Sequence, residues 1–148
     1  MTNDTIAAPL AAALAAKGYS IVLHYRQQRE QAEAVAAEIA AMGSTARILQ
    51  FDVADRAAAK AAIEADMENH GAYYGVVCNA GVTRDNAFPA MSGEDWDSVI
   101  HTNLDSFYNV LNPVPFGFFV AALVCHKTLA ARRPPTGRLT DFYLMMSL

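Results

Sequence analysis

Residues 74–81 read YGVVCNAG. Tyr74 to Cys78 is a short apolar run with two adjacent valines and no polar alternation, the mark of a strand buried on both faces. It stops in Asn79-Ala80-Gly81, a turn of small residues. The same grammar recurs upstream. Ala46 to Phe51 (ARILQF) and Ser20 to Tyr25 (SIVLHY) are two further strands. Between them Gln28 to Met42 carries Val35, Ile39 and Met42 at helical spacing among Glu30, Glu33 and Glu38, with Gly43 as its stop. Asp55 caps a helix predicted to run to Asn69. An alanine-rich helix over 5–17, closed by Lys17-Gly18, precedes the first strand. Downstream, Ser92-Gly93-Glu94-Asp95 predicts a helix start with acids in the first turn. Trp96, Val99, Ile100, Leu104, Phe107, Tyr108 and Leu111 then form an apolar face as far as Asn112. Strands alternating with helices of this length predict an α/β fold of βαβ units around a parallel sheet.

The rest of the composition narrows the class. A chain of 148 residues suits one domain. With 53% hydrophobic and 18% charged residues it has the material for a core, which excludes a disordered chain. A net charge of −4 argues against electrostatic binding of nucleic acid. Cys78 and Cys125 cannot make a disulfide framework and suit a reducing compartment. The start MTNDTIAAPL has no basic region and predicts no signal peptide. The longest apolar run, Val114 to Cys125, falls short of the roughly 20 residues a membrane span needs. The expectation is a soluble, cytoplasmic protein. After Asn112 the texture changes: Pro113 and Pro115 break the helix, PFGFFVAALVC has no clean period, and Arg132 to Gly137 reads as a loop. The division expected is therefore a βαβ region over 1–112 and a divergent tail over 113–148.

Four places carry candidate chemistry, three of them where strands end, which is where open α/β sheets bind ligands. Arg26 follows the first strand. In a dinucleotide-binding sheet a basic residue there neutralises a 2′-phosphate, and an acidic one accepts from a free 2′-hydroxyl, so Arg26 leans toward NADP. A solvated surface arginine is the plainer alternative. Asp52 and Val53 follow the second strand, and a carboxylate there can accept from an adenine amino group or simply cap a turn. Asn79, Ala80 and Gly81 follow the third, where small residues let backbone approach a ligand and Asn79 can lock the turn; an ordinary tight turn is the plainer alternative. Asn103 lies inside the helix after Ser92. Asparagine is a poor helix-interior residue, so it signals a local kink or a polar task, with an exposed asparagine as the plainer alternative.

Other chemistries are not encoded. His24, His70, His101 and His126 lack metal-ligand spacing. No G-x-S-x-G elbow is present, and neither cysteine has the context of a catalytic thiol. Aromatics do not interleave with basic residues, which speaks against single-strand nucleic-acid binding.

In combination, GYSIVLHYR (18–26), FDVAD (51–55), CNAG (78–81) and RDNAFPAMSGEDWDSVIHTNLDSFYNV (84–110) resemble the short-chain dehydrogenase/reductase family. The resemblance runs from Ile6 to Asn112 and is closest to 3-oxoacyl-[acyl-carrier-protein] reductases. It implies a partial Rossmann-like, doubly wound parallel sheet of three family strands. It implies NADP as cofactor and a 3-oxoacyl thioester, carried by acyl carrier protein or another group, as substrate. CNAG corresponds to the family's N-N-A-G with Cys78 in first place. Asn103 takes the position of the asparagine in the Asn-Ser-Tyr-Lys tetrad, which holds a water of the proton relay. Asp52 and Val53 take the adenine-contacting positions, and Arg26 the position that selects NADPH. The helix over 94–112 takes the place of one that packs against another subunit, which implies a homo-oligomer, with Trp96, Phe107 and Tyr108 as candidate surface or core.

The departures are equally specific. The family opens with a strand and a G-x-x-x-G-x-G loop that meets the pyrophosphate. Here Thr5-Ile6-Ala7 stands at the last G-x-G, and no strand precedes it. Beyond Asn112 the family reaches a catalytic serine and Tyr-x-x-x-Lys. This chain has Tyr143 followed by Leu144, Met145, Met146 and Ser147, and no lysine after Lys127. The proton transfer, worth roughly 10²- to 10⁴-fold in typical enzymes, then has no visible donor. In the order 3-2-1-4 the missing first strand leaves a gap of about 4.8 Å per ladder step between the strands at 20–25 and 74–78. Either those strands pair directly or the tail enters, and Phe116 to Val120 is the stretch apolar enough to do so. Three readings stay open: a reductase, inactive as this isolated chain; a non-catalytic module that associates with an intact reductase; or the product of a shifted reading frame and a late start.

Overall fold

The computed structural model describes residues 4–114 and 141–145. In chain order the elements are α1 (Asp4–Ala15), β1 (Ser20–Tyr25), α2 (Arg29–Ala41), β2 (Ala46–Gln50), α3 (Arg56–His70), β3 (Gly75–Cys78), a 3-10 turn (Phe88–Ala90), α4 (Gly93–Ile100), a π-turn (His101–Asp105), α5 (Ser106–Leu111) and β4 (Asp141–Met145). The three expected strands and their flanking helices are all present. Asp55 caps α3 by accepting from the Ala57 and Ala58 N–H groups, and Ser92 caps α4 by accepting from the Asp95 N–H. Gly18 and Gly43 stop their helices at φ +88° and +82°, angles that a side chain at either position would strain.

Four parallel strands form one sheet in the order β2-β1-β4-β3. The gap expected between β1 and β3 is closed by the tail, but not by the segment proposed for it. Asp141–Met145 pairs with β1 on one side, Val22 opposite Tyr143, and with β3 on the other, Val76 opposite Tyr143. Phe116 to Val120, like Cys125 and the Arg132 to Gly137 loop, lies outside the described residues. Apolarity alone favoured that stretch. The position requires backbone that can hydrogen-bond on both sides, and 141–145 supplies it without β-branched residues.

Helices cover both faces, so the strands are buried on both sides and alternate between two cores. Ile21 and Leu23 of β1 face Ala7, Ala11 and Leu14 of α1 and Ile39 of α2. Val22 and Val76 face Ala59 and Ile63 of α3 and Val110 of α5. At the N-terminal end of the sheet a polar staple joins α3 to β2. The Asp66 carboxylate, almost wholly buried, accepts from Arg47 Nε at 2.8 Å, Arg47 Nη2 at 2.9 Å and the Tyr73 hydroxyl at 2.8 Å. Burial alone would raise the Asp66 carboxyl, but these donors and the Arg47 charge, with His70 beside them, hold it below its usual value.

Candidate functional site

Because the strands are parallel, the segments after β1, β2 and β3 emerge on one edge of the sheet. That edge brings together Arg26, Asp52, Val53 and Asn79-Ala80-Gly81, as the sequence predicts. Its floor is fixed by His24, a buried side chain whose ring nitrogen Nε2 lies 2.8 Å from the Phe51 carbonyl oxygen. A carbonyl only accepts, so Nε2 carries the proton and donates. The His24 and Phe51 rings pack at 4.2 Å, tying the end of β1 to the end of β2.

Above this floor Arg26 Nη1 stands 3.6 Å from Asp52 Oδ2, both side chains nearly half exposed at 48% and 43%. An ion pair this open contributes about 0–1 kcal/mol to folding, so the two groups remain free to exchange each other for a ligand. The other oxygen, Asp52 Oδ1, accepts from the Ala54 N–H at 2.9 Å, so the turn-capping role considered for Asp52 is real and coexists with the exposed one. Gln50 Nε2 donates to the Arg26 carbonyl at 3.0 Å and steadies the backbone under the guanidinium.

On the β3 side, burial pushes the Cys78 thiol up to about 12. It stays protonated at neutral pH and is no nucleophile. The loop that follows is held from across the site. Asn103 Oδ1 accepts from the Val82 N–H at 2.7 Å, and Asn103 Nδ2 donates to the Val82 carbonyl at 2.8 Å. The kink and the polar task posed for Asn103 hold together. The predicted continuous helix is broken by a π-turn at 101–105, in which the Ser106 N–H bonds the His101 carbonyl five residues back. The wider turn inserts a residue and lets Asn103 face the loop.

Exposure along α4, the π-turn and α5 departs from the predicted face. Trp96, Leu104 and Tyr108 are 51%, 62% and 54% exposed, whereas Thr102, Ser106, Asn109 and Val110 are buried. Phe107 is half-buried. The apolar face read from helical spacing is thus split: Trp96, Leu104 and Tyr108 point outward, and Val99, Ile100, Phe107 and Leu111 are half-buried. Phe88 stacks edge-on to Trp96 at 6.4 Å on that surface. Ser106 Oγ is buried and has no hydrogen-bond partner among the described residues.

Sequence reasoning missed Asn109. Its carboxamide is buried, donates to the Val53 carbonyl at 2.9 Å and accepts from Arg56 Nε at 3.1 Å. The available signal was a second asparagine inside the helix, six residues after Asn103.

The residues that correspond to the glycine loop form no loop. Ala7 lies within α1, fully buried against the sheet. Tyr143 lies mid-strand in β4. Among the described residues no group of three or more His, Cys, Asp or Glu is placed to hold a metal, and no helix is long and apolar enough to cross a membrane.

Comparison with known proteins agrees with this layout. The family profile described as short chain dehydrogenase matches residues 2–115. Over 105 residues the chain is 58% identical to the 3-oxoacyl-[acyl-carrier-protein] reductase FabG of Aggregatibacter actinomycetemcomitans, covering 71% of this chain and 43% of that protein. It is 39% identical over 102 residues to the Staphylococcus aureus FabG, covering 69% of this chain and 42% of the relative. Among solved structures, a short chain dehydrogenase from Burkholderia cenocepacia in complex with NADP superposes with a TM-score of 0.67 at 30% identity, over 72% of this chain and 43% of that one. A Serratia marcescens short-chain dehydrogenase/reductase variant gives 0.68 at 25% identity, with the same coverage. The chain therefore spans about two-fifths of the length of the proteins it matches.

Proposed function

We infer the function from one premise: this chain belongs to the short-chain dehydrogenase family. The reading we propose is the nucleotide-binding part of an NADPH-dependent reductase that converts 3-oxoacyl thioesters, as carried by acyl carrier protein, to 3-hydroxyacyl thioesters in cytoplasmic fatty acid synthesis. The observation that carries it is the Arg26–Asp52 pair at the sheet edge, with the adjoining Val53 buried in the core. The adenosine 2′-phosphate end of NADP fits these residues. The guanidinium would take the phosphate, and Asp52 Oδ2, released from Arg26, would accept from the adenine amino group. Asn79, Ala80 and Gly81 would line the path beyond. Asn103, already anchored to Val82, would sit beside the reacting carbonyl end.

The fit stops at the pyrophosphate, because α1 runs through the positions where the family has its glycine loop. No step of hydride or proton transfer is assigned to this chain. When bound, the cofactor supplies hydride. These 148 residues hold no Tyr-x-x-x-Lys pair, so no turnover is expected from them alone. The test is titration of the full chain with 2′,5′-ADP and with 5′-AMP. The 2′-phosphorylated ligand should bind about tenfold more tightly, the effect of one charge-assisted contact of about 1.4 kcal/mol. Equal affinities, or none, would end the reading.

A second reading has its own observation, the exposed Trp96, Leu104 and Tyr108 on α4, the π-turn and α5. On this reading the surface joins the chain to a second copy or to an intact reductase. Size-exclusion chromatography of the chain, alone and mixed with a full-length reductase, decides: two independent monomer peaks count against it.

A further inference from the structure

We propose that Asn109 is the positioning residue of the adenosine site, latching the loop after β2 onto α5 so that Asp52 presents one free oxygen to Arg26 or to a nucleotide. In its functional part this rests on the nucleotide reading above.

The loop is short of internal support. Its N–H groups are used locally: Ala54 N–H bonds Asp52 Oδ1 at 2.9 Å, and Asp55 N–H bonds the Asp52 carbonyl at 3.0 Å. The Val53 and Ala54 carbonyls look the other way, toward α5. Asn109 Nδ2 donates to the Val53 carbonyl at 2.9 Å and reaches the Ala54 carbonyl at 3.5 Å. Val53 is 4% exposed, so water cannot readily replace that donor. Asn109 is itself oriented. Its Oδ1 accepts from Arg56 Nε at 3.1 Å, and the Arg56 guanidinium lies 4.9 Å from the centre of the Tyr108 ring. This bond fixes which end of the carboxamide is the donor.

Without Asn109, the Val53 carbonyl is buried and unpaired, and the loop must turn outward to hydrate it. The exposed Arg26–Asp52 pair at 3.6 Å is too weak to resist. Asp52 would lose its place beside Arg26 although neither Arg26 nor Ala54 had changed. Two successive turns of chain thus hold two of the loops that follow the strands, Asn103 of the π-turn on the Val82 loop and Asn109 of α5 on the Val53 loop.

The experiment uses the full chain with Asn109→Asp, which keeps the acceptor for Arg56 and lacks the donor, Asn109→Leu, which lacks both without adding charge, and Asn109→Gln as the conservative rescue. Amide hydrogen exchange and 2′,5′-ADP affinity are measured together. The expected result in Asp and Leu is exchange about tenfold faster at Ala54 and Asp55, with β1 and β2 amides unchanged. Affinity should fall about tenfold, and both effects should be partly restored in Gln. These figures equate to one lost hydrogen bond of about 1.4 kcal/mol. Unchanged loop exchange, or uniform acceleration over the whole chain, overturns the latch. Faster loop exchange with unchanged affinity overturns its role in binding. If the unaltered chain binds no 2′,5′-ADP, the nucleotide reading and this binding role fall together, and loop exchange alone decides the latch.

Discussion

The carboxamide of Asn103 and the peptide groups of Val82 hold each other at both ends, one bond of 2.7 Å and one of 2.8 Å. A side chain here does what a neighbouring strand does elsewhere, pairing with the N–H and the C=O of the same residue. It closes the loop after β3 against a helix that must open into a π-turn to reach it.

Asn103→Ala should therefore cost about 1–2 kcal/mol. It frees two half-buried backbone groups, each bond being worth about 1 kcal/mol, while alanine returns a few tenths through helix propensity. The checks are the urea midpoint and exchange at the Val82 amide, which should accelerate at least tenfold. Asn103→Asp keeps the acceptor but sets a carboxylate oxygen against the Val82 carbonyl, so it should be no more stable than alanine.

Arg26→Ala should separate binding from folding. The side chain is about half exposed and its ion pair with Asp52 is open, so the thermal midpoint should move by less than about 0.5 kcal/mol equivalent. Affinity for 2′,5′-ADP should nevertheless fall about tenfold or more while 5′-AMP changes little, since only the former carries the phosphate that the guanidinium recognises. Isothermal titration of both ligands checks this. A parallel loss for both would place the effect in the loop rather than in the charge.

Much of this site was legible because its signals are local. Val76 and Val77 announce a buried strand, Asp55 and Ser92 announce helix starts, and the chemistry follows the strand ends. What was not legible depends on distance or on one altered turn. β4 joins strands whose residues lie more than sixty positions earlier, and no local pattern in DFYLM names that partner. The outward placement of Leu104 and Tyr108 was hidden because 3.6-residue spacing presumes one uninterrupted helix, and the π-turn at His101–Asp105 breaks it. Asn109 was silent because its partners, Val53 and Arg56, approach only when α5 packs beside α3.

Asp66 should make stability fall in acid. Its carboxyl is held below its usual value in the folded state, so its contribution is fully present above the unfolded carboxylate value, about 3.9, and is lost as pH falls through the lower folded value. At pH 7, Asp66→Asn should cost about 2 kcal/mol, because it leaves the Arg47 guanidinium without its carboxylate and weakens the Tyr73 bond. Urea midpoints of the two proteins, compared from pH 7 down to pH 3, should converge as the native carboxylate gains its proton. A gap that stayed constant with pH would assign the staple to packing rather than charge.

Tyr143→Pro tests whether the tail strand is structural. Tyr143 stands opposite Val22 of β1 and Val76 of β3, in the middle of a strand paired on both sides. Proline has no N–H to give to the ladder and its ring crowds the neighbouring chain, so the cost should be about 3 kcal/mol. The damage should not stay in β4. Val22 and Val76 are buried in the core beneath α3 and α5, and their backbone partners on the inner side come from β4. With β4 displaced, those groups face no replacement, because β1 and β3 are separated by the width of a strand. Exchange at the Val22 and Val76 amides should therefore rise together with that at Leu144. Acceleration confined to 141–145 would mean that β1 and β3 stay ordered without it, and that 4–114 holds its sheet by helix packing alone.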